Sequence, residues 1–271
     1  MRPIRRALHT ASRLLPAGRR AGLLVLTYHL VGAGTRSPVD LDPGLFRAQL
    51  EELRALAVPV DLRTALRALG EPDPGGPPRV LVTFDDAYAN FHERAWPVLE
   101  ALSIPSVLYV PTGFVEGRTT APIRGTAHLP AASWTQLAEL AASGLVAIGS
   151  HTCSHRDLPA LPPEELVAEV KGSRALLEDR LGVAVESFCY PRGASCPGAE
   201  PLVEATYRSA VVRGGRRNRC GVGWSPWRLE RVPLRRDMPA SLAPILESRV
   251  WMEEWAVTRL LAWRASVSIV S

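Results

Sequence analysis

No two of the chain's four cysteines stand in a CxxC pair. That absence removes the zinc-finger and thioredoxin-like readings, and 271 residues bury enough core to need no disulfide staples. Cys153, Cys189, Cys196 and Cys220 are therefore expected as free thiols in a reducing compartment. No apolar run is long enough to cross a bilayer, and the stretch from Trp255 onward is interrupted by Arg259 and Arg264. The basic amino terminus has no adequate apolar segment before Gly18, which argues against a secretory signal and for a cytoplasmic protein. Acidic residues are also missing there: Arg2, Arg5, Arg6, Arg13, Arg19, Arg20 and Arg36 all precede Asp40, and a second basic run spans Arg208 to Arg219. This uneven charge makes an anionic surface, such as the inner membrane leaflet, a candidate peripheral neighbour. Nucleic acid is not one, because neither zinc-finger spacing nor an aromatic-interleaved basic motif is present.

What the chain does have is an alternation of short apolar runs with helical patterns. Strands are predicted over Leu23–Tyr28, from Val80 to Phe84, and over Ser106–Val110, Leu145–Gly149, Ser187–Tyr190, Ser209–Val212 and Leu229–Leu234. Helical periodicity lies between them: Phe46, Leu50, Leu53 and Ala57 share one face after Pro43, and Ser133 caps a helix carrying Trp134, Leu137 and Leu140, with Trp134 read as core. Prolines and glycines are spread between these segments, which argues for defined turns and not for disorder. Seven strands alternating with helices predict one α/β domain with a parallel barrel or wound sheet. Residues 1–21 form a basic leader, 22–240 the barrel, and 241–271 an amphipathic helix, with Val250, Trp251 and Trp255 among charges, expected to close the barrel bottom. The loop from Thr112 to Ala132 is long enough to serve as a lid or substrate loop.

The stretch VLVTFDDAY, Val80 to Tyr88, runs a buried strand straight into two adjacent carboxylates, Asp85 and Asp86. Aspartate at a strand end is often only the cap of the next helix. A second signal favours chemistry: SHTCSH, Ser150 to His155, sets His151 and His155 four positions apart, just after another strand. Parallel α/β folds gather such strand-end groups at one mouth. Two imidazoles and one carboxylate (Asp86) suit a divalent first-row metal, most simply Zn²⁺, with positions left open for water and substrate.

TFDDAY, SHTCSH and FCYPRG, with LTYHLV near the start and SWTQLAEL before the histidines, resemble the polysaccharide deacetylase family, carbohydrate esterase family four, over roughly residues 22–236. The resemblance implies a distorted (β/α)7-type barrel that removes acetyl groups from N-acetylated amino sugars of a glycan or glycoconjugate. It makes Asp85 the general base, Asp86, His151 and His155 the ligands of a divalent ion, and the Tyr190 backbone N–H the oxyanion donor. Three departures stand out. Ala87 replaces the usual glycine, with little effect expected. Cys189 stands where many members carry an arginine, leaving Arg192 or Arg231 to orient Asp85. The late histidine that serves many members as general acid is absent, since no histidine follows His155. His29, at the end of the first strand, is assigned that role, with His128 the weaker candidate; His9 and His92 read as surface residues. The missing histidine also leaves open a catalytically silent glycan-binding barrel, and a third reading is an amide hydrolase acting on a non-sugar C–N bond, which a pocket lacking a sugar-length groove would favour.

Overall fold

Aliphatic residues at every second position build the barrel wall, with one set turned inward and the other outward. The computed structural model describes residues 8, 22–72, 75–219, 221, 224–248 and 250–268. The basic leader other than Leu8, Cys220 and the last three residues lie outside that range. Barrel strands β1 (Leu23–Tyr28), β2 (Arg79–Phe84), β3 (Ser106–Val110), β4 (Val146–Ser150), β5 (Ser187–Cys189), β6 (Ser209–Arg213) and β7 (Leu229–Pro233) are all parallel. β1 closes the ring by pairing with β2, Leu23 opposite Arg79 through Tyr28 opposite Phe84, and with β7, Val25 opposite Arg231. The ring is held unevenly: β4 and β5 share a single register pair, Ser150 with Phe188. An eighth strand, Val58–Pro59, joins the foot of β2 and was not expected. Two residues are too few to display a period.

The inward set, Leu23, Val25, Leu81, Val107, Tyr109, Cys189, Val211 and Leu229, forms one buried cluster. The outward set, including Leu24, Leu26, Val80, Val82, Leu108, Val110, Ile148 and Phe188, packs against the surrounding helices. Helix α1 (Pro43–Leu56) contributes Phe46, Leu50 and Leu53; its start is set by Asp42, whose side chain accepts the Leu45 N–H. Helix α2 (Leu62–Gly70) is capped by Asp61 in the same way, and α3 (Trp134–Ala142) by a reciprocal capping box between Ser133 and Gln136. Trp134 packs against the core, under the Arg180 guanidinium. No helix among the described residues is long and apolar enough to cross a membrane.

Helix α4 (Met252–Ser268) departs from expectation. Its first turn does not lie at the closed end of the barrel but docks beside the mouth, where Trp251 donates its N–H to the Gly215 carbonyl. A Cβ on Gly215 would meet Trp251 O at 2.8 Å and Trp255 N at 2.9 Å, so the absence of a side chain there lets the helix approach.

Candidate active site

Continuing the two-residue period past the apolar inward set places polar side chains at the mouth. Thr27 and His29 follow Val25, Thr83 and Asp85 follow Leu81, Arg231 follows Leu229, and Arg213 follows Val211. Thr27 and Thr83 are joined hydroxyl to hydroxyl at 3.0 Å beneath the acidic pair. His29, Asp85, Asp86, His151, His155 and Arg231 line one cavity, together with Arg192 and residues from the surrounding loops. A single strand would show only one of two neighbouring carboxylates to that cavity. Here the chain turns into the left-handed region at Asp86 (φ 77°) and Ala87 (φ 48°), and both reach it. Ala87 thus holds a conformation that suits glycine, so its replacement of the family's glycine is not without effect: left-handed backbone costs an L-residue about 1–2 kcal/mol.

The histidine loop is also strained, with Thr152 at φ 68° and His155 at φ 56°. It is pinned by Glu169, a buried acid on a π-helical turn, Ala168–Gly172. Its carboxylate accepts the N–H groups of Cys153 and Ser154, each at 2.8 Å, and the Ser154 hydroxyl. Nothing in the helical pattern distinguishes this glutamate from a solvated one, and the sequence reading passed over it.

His151 Nδ1 donates to the Cys189 carbonyl at 2.8 Å, which turns the lone pair of Nε2 toward Asp86. The Nε2 atoms of His151 and His155 lie 3.6 and 3.5 Å from Asp86 Oδ1, a buried oxygen with no hydrogen-bond partner. Ligands bound tetrahedrally at about 2.0–2.1 Å stand about 3.4 Å apart. An orphaned carboxylate oxygen between two neutral imidazoles is therefore what a divalent ion requires, and the three residues fit one. Burial lowers His151 to about 4 and, with the neighbouring His151, His155 to about 3, so both are unprotonated and ready to ligate at neutral pH. Burial and the charge of Asp85 raise Asp86 well above the usual carboxylate range, a proton that an ion would displace.

Asp85 has the opposite environment. Burial alone would raise it, but Arg231 forks onto both oxygens at 2.7 and 2.9 Å and, helped by His151 and His29, holds it ionised well below the usual range. Of the two arginines considered for this task, Arg192 does not reach Asp85; it pairs with Asp157 at 2.9 Å. The Cys189 thiol lies 3.1 Å from Arg231 Nη2 and 3.6 Å from Asp85 Oδ2, occupying the place a guanidinium from β5 would need. Asp85, His151 and Cys189 are close enough to count as a second ligand set. Burial, reinforced by the two carboxylates, keeps that thiol protonated and Arg231 already claims Asp85, so the Asp86 set is the better one. His29 Nε2 is 3.8 Å from Asp85 Oδ2, and burial lowers this imidazole to about 4. His128 is exposed and away from the cavity, and His92 pairs with Glu139 at 2.9 Å. Tyr190 does not stand where the oxyanion donor was expected: its N–H points to the Val211 carbonyl at 3.4 Å and its ring packs in the core.

Residues 73–207 match the family described as polysaccharide deacetylase. IcaB from Ammonifex degensii is 30% identical and superposes with a TM-score of 0.69 over 80% of this chain and 93% of its own. The chain belongs to the polysaccharide deacetylase family. The deacetylase PplD of Streptococcus pyogenes, solved in complex with acetate, shares the fold at a TM-score of 0.71 and 21% identity, covering 84% of this chain and 98% of that one. The poly-β-1,6-N-acetyl-D-glucosamine N-deacetylase of Escherichia coli K12 is 36% identical over 78 residues, 27% of this chain and 12% of that protein. YxkH of Bacillus subtilis is 30% identical over 114 residues, 42% of this chain and 37% of its own length. The chain thus spans little more than a third of the length of these curated relatives at most.

Proposed function

We propose that this deacetylase hydrolyses the acetamide of N-acetylated amino sugars in a poly- or oligosaccharide, and that Asp86, His151 and His155 hold a zinc ion for the purpose. Two nitrogen donors and one oxygen suit Zn²⁺. The observation that carries the reading is the contrast between the two adjacent carboxylates. Asp86 offers an unpartnered oxygen to two imidazoles, whereas Asp85 is kept ionised by a bidentate arginine. A silent glycan-binding barrel would have little use for a buried base locked in this way. The similarity to the poly-β-1,6-N-acetyl-D-glucosamine N-deacetylase of E. coli supports a poly-N-acetylglucosamine-like substrate.

When bound, the ion supplies polarisation of the acetyl carbonyl and a bound water of lowered pKa. Asp85 accepts the proton of the attacking water. Arg231 fixes the direction of its oxygens, so no reorientation is needed as the bond forms. The leaving amine must gain a proton as the C–N bond breaks. His29 is neutral at rest and 3.8 Å from Asp85, and it hands on the proton that Asp85 has taken. The developing oxyanion needs a backbone donor. Arg192, at φ 57° on the cavity wall, is the residue whose N–H we assign to that place, instead of Tyr190.

Acetate release from β-1,6- and β-1,4-linked N-acetylglucosamine oligomers, with zinc supplied and with Asp85→Asn as control, tests the proposal. Zinc-loaded protein that releases no acetate from either series, or an Asp85→Asn variant as active as the parent, would overturn it.

A further inference from the structure

One wall of the cavity is built by residues outside the family match, which ends at residue 207. Arg213, at the end of β6, and Glu254, in the first turn of α4, both line the cavity that holds the candidate ligands. Glu254 is 2% exposed. Its Oε1 lies 2.6 Å from Arg213 Nε and its Oε2 lies 3.6 Å from Arg235 Nη1, while Arg235 also pairs with Glu253. The neighbouring glycines make this possible. A Cβ on Gly193 would meet Arg213 N at 2.4 Å, and one on Gly215 would meet the Glu254 side chain at 3.1 Å. Two buried carboxylates, held by guanidiniums that stay partly in water, are a poor way to stabilise a wall, since well-packed apolar residues of similar volume do at least as well. The placement of Arg213 and Glu254 on the cavity points to recognition. A carboxylate has about four acceptor sites, and two arginines at its flanks leave some of them for a ligand.

We infer that Glu254, oriented by Arg213 and Arg235, is a substrate-binding residue that accepts hydrogen bonds from hydroxyl groups of the amino sugar whose acetamide lies at Asp85 and Asp86. This rests on the deacetylase reading above and deepens it by adding a sugar-hydroxyl subsite supplied by the carboxyl-terminal segment. Because the carboxylate is already desolvated and fixed, binding requires no side-chain ordering there. Arg213, donor beside acceptor, serves the hydroxyl oxygens of the same ring.

The test compares the zinc-loaded full chain with its Glu254→Gln variant on two substrates, an N-acetylglucosamine oligomer and 4-nitrophenyl acetate, whose acetyl group carries no sugar. On the oligomer kcat/KM is expected to fall roughly 10- to 100-fold, the range of a lost charge-assisted hydrogen bond. On the ester it stays within about twofold, and calorimetric titration with the oligomer shows the affinity falling with kcat/KM. Equal treatment of both substrates by the variant, whether unchanged or equally impaired, overturns the assignment of Glu254 and leaves the deacetylase reading standing. A parent protein that cleaves the ester but neither binds nor cleaves the oligomer overturns both. Should Glu254→Gln not fold, Glu254→Asp keeps the charge for both arginines, withdraws the carboxylate by one methylene, and reads the same substrate contrast.

Discussion

Arg231→Met would expose how much of the site depends on one guanidinium. Arg231 is 6% exposed and Asp85 5%, and the pair is bidentate, so removing the cation strands a buried anion. Breaking such a pair from one side costs about 3–5 kcal/mol. The sign with pH follows from Asp85. In the parent its folded pKa lies below the unfolded value of 3.8, so its contribution is present above that value and lost as pH falls through the folded one. In the variant, burial is no longer offset by the guanidinium and pushes Asp85 above the unfolded value. Its contribution then becomes a penalty that is relieved as pH falls and Asp85 takes up a proton. Urea unfolding of metal-free protein should show the variant about 3–5 kcal/mol less stable near pH 7, with the gap narrowing toward pH 5. Asp85→Asn in the same chain should restore most of the loss. The acid limb of kcat/KM should also move to higher pH, since the base must be ionised to act. A gap below about 1 kcal/mol at pH 7, or an acid limb that does not move, would refute the claim that Arg231 sets the state of Asp85.

Glu169→Gln should weaken metal binding roughly 10- to 100-fold by loosening the loop that carries His155, measured by competition with a chromophoric chelator. An unchanged affinity would show that the loop holds its shape without that carboxylate. Asp86→Asn and His155→Ala should each lose stoichiometric zinc on elemental analysis, whereas Cys189→Ala should retain one ion; loss of the ion with Cys189 would favour the other ligand set. Metal-free protein should be acid-sensitive. His29 and His151 lie at about 4 and His155 at about 3 when folded, against 6.5 unfolded, so unfolding takes up protons and stability is lost as pH falls below about 6.5. With three imidazoles, less the proton that Asp86 keeps when folded, the slope between pH 6 and 5 should be about 2 kcal/mol per unit. A flat profile there would contradict the burial of the histidines.

Much of this candidate site is legible in the sequence, because it follows from a short period. β1 begins and ends where its apolar run does, and the same alternation that buries Val25 and Leu81 delivers His29 and Asp85 to the mouth. The candidate ligand trio stands out in the sequence since each member lies at or just past a strand end. What was not legible depends on approach between distant segments. Arg192 and Arg231 are equivalent as residue types, and only the register of β7 against β1 brings Arg231 over Asp85. Glu253 and Glu254 read as acids favoured in the first turn of a helix, and their burial became visible only once the Gly215 contact had brought that turn to the cavity. Tyr190 looked like a strand-end donor because strand and turn meet there; the 3.4 Å bond to Val211 keeps its N–H within the sheet.

The single register pair between β4 and β5 has a mechanical meaning. Six of the seven seams in the ring are stitched by several backbone bonds, and this one has little beyond Ser150 opposite Phe188. The imidazole of His151 reaches across that seam to the Cys189 carbonyl. Whatever fixes the orientation of that ring also keeps the staves from parting, and slow breathing of the barrel should begin along this line.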